Sequence, residues 1–541
     1  MIPATQTSVY DVLTASAQTY AGRPLLNVLS GTAQVYDIPQ GEITFANAFK
    51  QVENWVLRFQ KAEYKAGIRV ALLLENRPDF FIIWMALNRI GASVVPVNPD
   101  LRASELQYVI GHAEPALILT TAPRLAEVRA AALTAGVCLQ VITAKTPIPA
   151  PRREAVTAKL SDDPCVREAA LLYTSGTTGA PKGCILSNRY FLEIGRWYAS
   201  LGGLISLSTK SERMITPLPI FHMNAMAYSF VTMLAIGGSL TVLDRFHPKR
   251  WWRDVGESRA TCLHYLGLMP SVLMGLPARP EDRNHTVRFG FGAGVDAKIQ
   301  SAFEHRFGFP LVEAWAMTET GAGAVLSNHR HNRLTGCSAL GQIPEFLSLR
   351  IADEKGAPVV QGQSGELLVK RKGAMPKLGF FSAYYKDTTA TENAWKDGWF
   401  HTGDIVRMDR QGFVFFVDRQ KNIIRRSGEN IAAVEVESIL MLHPDVTAAA
   451  VAPVPDLMRG DEVFACLTVA EPSIEKATEI VVWALDQMAY YKVPGFVAFV
   501  RALPLTSTQK IQRAKVHKLA LELLKDPGTV STRHLKKRRV L

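Results

Sequence analysis

The sequence predicts an α/β protein: a large N-terminal domain of layered α/β subdomains with an antiparallel β subdomain, then a small α+β C-terminal domain. Three observations lead there. Short β-branched runs alternate with helical patterns over most of the chain, the signature of layered α/β units with mainly parallel strands. Near residues 341–417 the runs become short, alternating and turn-rich, as in antiparallel sheet. A chain of 541 residues also exceeds the size at which a single hydrophobic core keeps growing.

The elements follow in order. "RVALLLEN" reads as a strand, "PDFFIIWMALNRIG" as a helix, "ASVVPVN" as a strand, "RASELQYVIGHAE" as a helix and "ALILTT" as a strand. The most apolar stretch, "FFIIWMALNRIGASVVPV", is interrupted by Asn88, Arg89 and Gly91, so it reads as a buried helix and strand and not as a membrane span. Pro147, Pro149, Pro151 and Pro164 mark a loop separating this unit from the next. "GELLVKR" and "GWFHTGDIVRMDRQGFVFFVDR" form the antiparallel part. After "DRQKNIIRRSGENI" come strands at "AAAVAPV" and "EVFACLTV" with helices near 434–443 and 475–489. The boundary is placed at Arg419 to Lys421, giving domains over 1–419 and 420–525 and a basic tail over 526–541, read as a flexible, solvated terminus.

Composition narrows the function classes. Hydrophobic residues at 48% with charged residues at 20% describe a soluble globular protein. The net charge of +12 is spread along the chain, with one dense cluster in "RHLKKRRVL", so no nucleic-acid partner is expected. Cysteines 138, 165, 184, 262, 337 and 466 show no metal-ligand spacing and suggest reduced thiols. With no secretory pattern in "MIPATQTSVYDVL", a cytoplasmic location is expected.

"TSGTTGAPKG", residues 174–183, follows the apolar run "EAALLY". It fails as a Walker A loop, because Pro181 stands where the second Gly belongs and Gly183 where the magnesium-binding hydroxyl belongs. It keeps what phosphate chemistry needs: Gly176 and Gly179 free the backbone amides to turn inward, Thr174, Ser175, Thr177 and Thr178 supply hydroxyls, and Lys182 supplies a cation. A flexible surface turn is the alternative reading of these residues alone.

The loop resembles the signature of the adenylate-forming superfamily, which contains acyl- and aryl-CoA ligases, firefly luciferase and the adenylation domains of peptide synthetases. Further segments resemble that family in its order. "GFGAGV" with "VEAWAMTETGAG" is similar to its adenine-side turn and aromatic-Gly-x-Thr-Glu motif. The resemblance places Gly292, Ala293, Gly294, Trp315 and Ala316 around the nucleotide, Thr318 on the phosphate and Glu319 on Mg2+. Trp315 and Ala316 replace the usual Tyr-Gly pair, and ordinary core packing is the alternative for Trp315. "GWFHTGD" offers Asp404 to the ribose hydroxyls, since a carboxylate has two acceptor oxygens for a vicinal diol. In "DRQKNIIRRSGENI", Arg419 resembles the ribose and phosphate arginine and Lys421 the hinge. Ser427, Gly428 and Glu429 match the loop that lines the thiol side after the small domain rotates. "LPLTSTQKIQRAKV" resembles the last motif, with Lys510 as the catalytic lysine and Gln509 in place of the usual Gly.

What the resemblance implies is a mobile C-terminal domain, the substrates ATP, coenzyme A and a carboxylic acid, and Mg2+. "PLPIFHMNAMAYSF" is similar to the segment carrying an acyl-site wall, so His222 is a candidate, with a satisfied core histidine as the alternative. Met223, Met226, Tyr228, Phe230, Leu266 and Met269 are read either as an apolar acyl tunnel or as core. "FHMNAMAYS" and "YYKDTTATENAWKDGWFHTGD" look closer to acyl-CoA ligases of the carnitine/crotonobetaine type than to peptide-synthetase domains. The expected function is therefore AMP-forming acid–CoA ligation. Charging of a separate carrier protein and nucleotide or acyl binding without turnover are the alternatives, and homodimers occur in the resembling family.

Overall fold

The computed structural model describes residues 2–101, 103–137, 139–151, 160–174, 181–353, 355–419, 423–426, 429–456, 459–488, 490–505 and 511–536, with backbone alone for 103, 104, 268, 418, 419, 423, 425, 429, 430 and 432. Among these residues four sheets form, of eight, seven, six and six strands.

The alternating pattern becomes parallel sheet. Strand Arg69–Leu73 lies between parallel neighbours Ser93–Pro96 and Leu117–Thr120, and helices Pro78–Arg89 and Ala103–Ala113 connect them. Pro78 opens its helix where a fixed φ and a missing N–H cost nothing. Every residue from Phe80 to Asn88 is buried, because this helix is apolar on all sides and packs on helices Val9–Thr19 and Phe45–Lys61. Phe81 stacks on Phe230 with centroids 4.3 Å apart, and Trp84 lies 5.9 Å from the same ring. No described helix is long and apolar enough to cross a membrane.

Two features of the sheets position the site. In the eight-stranded sheet, Arg213–Thr216, Cys262–Leu266, Phe289–Ala293 and Leu311–Trp315 run parallel, so their carboxyl ends share one edge, where open α/β sheets bind ligands. The seven-stranded sheet ends in hairpin Glu168–Thr174/Lys182–Ser187, and Ala383–Tyr384 adds antiparallel to the outer strand. The expected antiparallel unit is the sheet Ala339–Gln342, Phe413–Arg419, Trp399–Met408, Ser364–Arg371 and Leu347–Ala352, in that spatial order.

Sheet membership changes between Arg419 and Ile423. Ile423–Arg426 pairs with Glu429–Ala432 and touches Gly460–Thr468, in a sheet with its own apolar cluster of Ile424, Val436, Val463, Ile480 and Val497. Residues 526–536 depart from the expected flexible tail. Val530–Ser531 pairs antiparallel with Phe496–Phe499, Thr532 Oγ1 donates to the Pro494 carbonyl at 2.7 Å, and Lys536 is buried against the Glu462 carboxylate. Arg426 Nε reaches the same carboxylate at 2.9 Å. The reason is charge: Glu462 is wholly buried, and the basic tail supplies its second cation.

Candidate active site

Strand Leu311–Trp315 delivers the first half of the site. Glu313 accepts from Tyr265 OH, Gly294 N and Val295 N, each at 2.9 Å, and so clamps the glycine turn at the end of Phe289–Ala293. Burial pushes the Glu313 carboxyl above the usual range while those three donors pull it down. Gly294 turns at φ +79°, and a Cβ on Gly267 would meet the Gly294 carbonyl, so the turn needs both glycines. Gly292 and Ala293 lead into that turn from the same strand.

Trp315 is buried with its indole Nε1 donating to Asp404 Oδ2 at 2.8 Å. Asp404, only 1% exposed, lies on strand Trp399–Met408, and the backbone of Arg419 registers opposite it. Upstream, Glu366 accepts from Gly403 N at 3.1 Å and lies 3.0 Å from His401 Nδ1, which shapes the turn before the aspartate. Ala316 is absent from the residues with positive φ, so the backbone here does not call on the freedom of the expected glycine.

The second half lies four residues further along. Glu319 is 7% exposed and accepts from Tyr384 OH at 2.8 Å. Phe381 N donates to the Glu319 carbonyl at 2.8 Å, and Gly323 fits so closely under Phe380 that a Cβ there would collide with the ring. Lys182 Nζ lies 4.8 Å from the Tyr384 ring centroid, a cation–π contact. Thr174, opposite Lys182 on the last rung of the hairpin, donates through Oγ1 to the Lys182 carbonyl at 3.4 Å. Thr318 is half-buried on the loop between the two halves. Cys184 is buried beside Glu319, and burial with that carboxylate pushes its thiol well up, so it stays protonated.

The base of the loop is braced from helix Ala103–Ala113. Tyr108 OH donates to the Pro181 carbonyl at 2.9 Å, and His112 Nδ1 lies 2.7 Å from Tyr173 OH. The two rings on the helix stack 5.5 Å apart. Ser175, Gly176, Thr177, Thr178, Gly179, Lys421, Ser427, Gly428 and Lys510 lie outside the described residues, and Glu429 is described only as the strand partner of Arg426.

His222 is half-buried, 4.6 Å from the Phe221 ring, just before a π-helix over Asn224–Val231. Tyr228 OH donates to the Gly321 carbonyl at 3.1 Å, tying that helix to the loop after Glu319. Met226, Tyr228, Phe230 and Met269 are buried in the main core, which decides for packing; Met223 and Leu266 are half-buried. Sequence reasoning missed Glu313, Tyr384, Tyr108 and His112. The signal for Glu313 was at hand in "VEAWAMTE", two residues before Trp315.

A buried carboxylate held by an indole, a second fed by a phenol and a lysine beside that phenol are thus gathered along one short stretch of chain and the strands that meet it. Two family models match the chain: "AMP-binding enzyme" matches residues 15–378 and "AMP-binding enzyme C-terminal domain" residues 435–510. The chain belongs to the AMP-binding enzyme family. It is 29% identical over 500 residues to crotonobetaine/carnitine–CoA ligase of Salmonella typhi, covering 89% of this chain and 94% of that one. The ligase of the same name from Proteus mirabilis is 27% identical over 503 residues, with the same coverage. In fold the chain is similar to ATP-bound MatB from Rhodopseudomonas palustris, with TM-score 0.77, 22% identity and coverage of 95% and 100%. It is similar also to o-succinylbenzoate CoA synthetase from Bacillus subtilis with its acyl-adenylate intermediate, with TM-score 0.76, 23% identity and coverage of 93% and 97%.

Proposed function

We propose that the protein joins a carboxylic acid to coenzyme A in two steps driven by ATP. A carboxylate oxygen attacks the α-phosphorus of ATP, forming an acyl-adenylate as the bond to pyrophosphate breaks. The thiol sulfur of coenzyme A then attacks the acyl carbon, AMP leaves, and the thiol proton passes to solvent. One observation carries this reading: Asp404 with Trp315, and Glu319 with Tyr384 and Lys182, are two contact groups linked into one chain by the segment from Trp315 to Glu319, at the ends of three sheets. That chain runs from a diol-binding carboxylate to a phosphate-binding lysine.

Asp404 accepts the ribose hydroxyls and the indole of Trp315 holds its carboxylate in place. Thr174, Thr318 and Lys182 neutralise phosphate charge, joined by the hydroxyls of Ser175, Thr177 and Thr178. Glu319 suits a hard cation: it is a buried carboxylate with no Lys or Arg ion pair among the described residues, and its neighbours are a phenol and a protonated thiol. Mg2+ held there would screen the charge of the phosphates. Lys510 serves adenylation and is withdrawn when the small domain turns about Lys421, bringing Ser427, Gly428 and Glu429 to the thiol side. His222 walls the acid's carboxylate. The domains divide at Arg419 to Lys421, and the second takes in the tail strand Val530–Ser531. The free thiols of Cys165, Cys184, Cys262, Cys337 and Cys466 support a reducing, cytoplasmic setting.

The test is pyrophosphate release from a panel of carboxylic acids with MgATP, with and without coenzyme A. Acyl-CoA product is expected. Adenylate without transfer to coenzyme A overturns it in favour of a carrier-protein thiol, and no release with any acid overturns activation itself.

A further inference from the structure

The segment after His222 is wound as a π-helix, Asn224–Val231, a form that is rare beyond a single turn and concentrates at functional sites. Its winding brings Asn224 and Ser229 onto one buried histidine. Ser229 Oγ donates to the Asn224 carbonyl at 3.2 Å and lies 2.9 Å from His264 Nδ1. With its single proton committed to the carbonyl, the hydroxyl accepts at His264, so Nδ1 carries the imidazole hydrogen. The Asn224 atom 2.8 Å from that Nδ1 is then the acceptor Oδ1. On the other side, Tyr198 OH donates to Nε2 at 3.1 Å. His264 is wholly buried, and burial pushes its pKa down to about 3, so the ring stays neutral in this tautomer.

The consequence falls on Asn224. Its carboxamide is fixed with the oxygen inward and the Nδ2 amide turned away from His264, and among the described residues Nδ2 makes no hydrogen bond. Asn224 is half-buried, two residues after His222. His264 lies on strand Cys262–Leu266, whose last residue registers with Ala293 at the mouth of the glycine turn. Asn224, held by this buried network, therefore lies beside the strand that leads to the glycine turn.

We propose that Asn224 is a specificity residue for the acid, offering N–H to a hydrogen-bond acceptor beyond the reacting carboxylate, and that His264 positions it. The substrate class is then an oxygenated acid, bearing a hydroxyl, oxo or second carboxylate group, in preference to a plain alkyl acid. This rests on the acid-activation reading above.

The experiment measures kcat/KM for pyrophosphate release from straight-chain acids, butanoate to decanoate, and their hydroxy, oxo and dicarboxylic counterparts. The wild type is expected to favour the oxygenated member of the best pair by roughly tenfold to a hundredfold, the range of one buried hydrogen bond. Asn224→Leu should erase that preference by lowering kcat/KM for the oxygenated acids at least tenfold more than for the plain acids. Asn224→Asp keeps the acceptor for His264 Nδ1–H and loses both donors, so it should depress dicarboxylic acids most. If the leucine variant fails to fold, the near-isosteric aspartate carries the test. Equal wild-type rates within every pair, or a preference that survives in folded variants, overturns the inference alone. Release with no acid overturns the activation reading and this inference with it.

Discussion

The neutral state of His264 makes a quantitative prediction about stability in acid. The ring is buried without a carboxylate partner, and its pKa falls from 6.5 to about 3. A depressed folded pKa means that its stability contribution is fully present above the unfolded value and is lost as pH falls towards the folded one. At pH 5 the unfolded chain binds the proton and the folded chain does not. Proton linkage across those two pKa values then removes about 2 kcal/mol between pH 8 and pH 5, with no discount for solvent screening because the group is wholly buried. His264→Gln has no titrating group and loses none of this, whatever its stability at pH 8. The assay is urea unfolding followed by tryptophan fluorescence at steps from pH 8 to pH 5, comparing the two proteins' slopes against pH. Parallel slopes, agreeing within about 0.5 kcal/mol over the range, would refute the buried neutral imidazole.

Other perturbations follow from the same contacts. Trp315→Phe keeps an aromatic face and removes the N–H on Asp404; a hydrogen bond to a charged group is worth about 1.5–3 kcal/mol, so the KM for ATP should rise roughly tenfold or more with the KM for acid unchanged. An unaltered KM for ATP would show that the indole does not orient the ribose carboxylate. Tyr384→Phe should raise the Mg2+ concentration needed for half-maximal pyrophosphate release by about tenfold, since Glu319 loses the phenol that orients it. An unchanged Mg2+ dependence would separate Tyr384 from the metal site. In the C-terminal sheet, Glu462→Gln strands Arg426 and Lys536 and should cost about 3–5 kcal/mol, whereas Lys536→Met leaves one intact ion pair and should be near neutral in thermal unfolding. Equal losses in the two variants would contradict the assignment of Lys536 as the supernumerary cation.

Much of the architecture was legible because it is local. The helix Pro78–Arg89 and the strands on either side announce themselves by period and by proline placement, whereas the glycine- and hydroxyl-rich stretch 175–180 lies outside the described residues. The contacts that went unread act at a distance. Tyr384 meets Glu319 across 65 positions of chain and Trp315 meets Asp404 across 89, and no spacing rule operates at such separations. His264 sits in "TCLHYLG" as one more residue of a buried strand, and its chemistry exists only once Asn224, Ser229 and Tyr198 converge on it. The π-helix was hidden for another reason: a pattern read at 3.6 residues per turn cannot show a wider winding. The tail misled because a run of basic residues normally marks a solvated terminus, and the buried carboxylate that captures Lys536 lies 74 positions away.

One short segment, Trp315 to Glu319, explains why the three sheets must meet as they do. Its first residue bonds the sheet that carries Asp404 and its last bonds the strand that flanks the hairpin Glu168–Thr174/Lys182–Ser187, so the spacing between these two contacts is set by five residues of chain. Such a segment tolerates little slack. Gly321, at φ +46°, and Gly323 lie against Gly379 and Phe380, where any side chain would collide, and Tyr228 adds a hydrogen bond to the Gly321 carbonyl from the π-helix. The π-helix is thereby fastened to the same stretch of chain as Trp315 and Glu319. Packed backbone and the phenol of Tyr228 therefore join the π-helix to the segment that carries Glu319, so the two are positioned together.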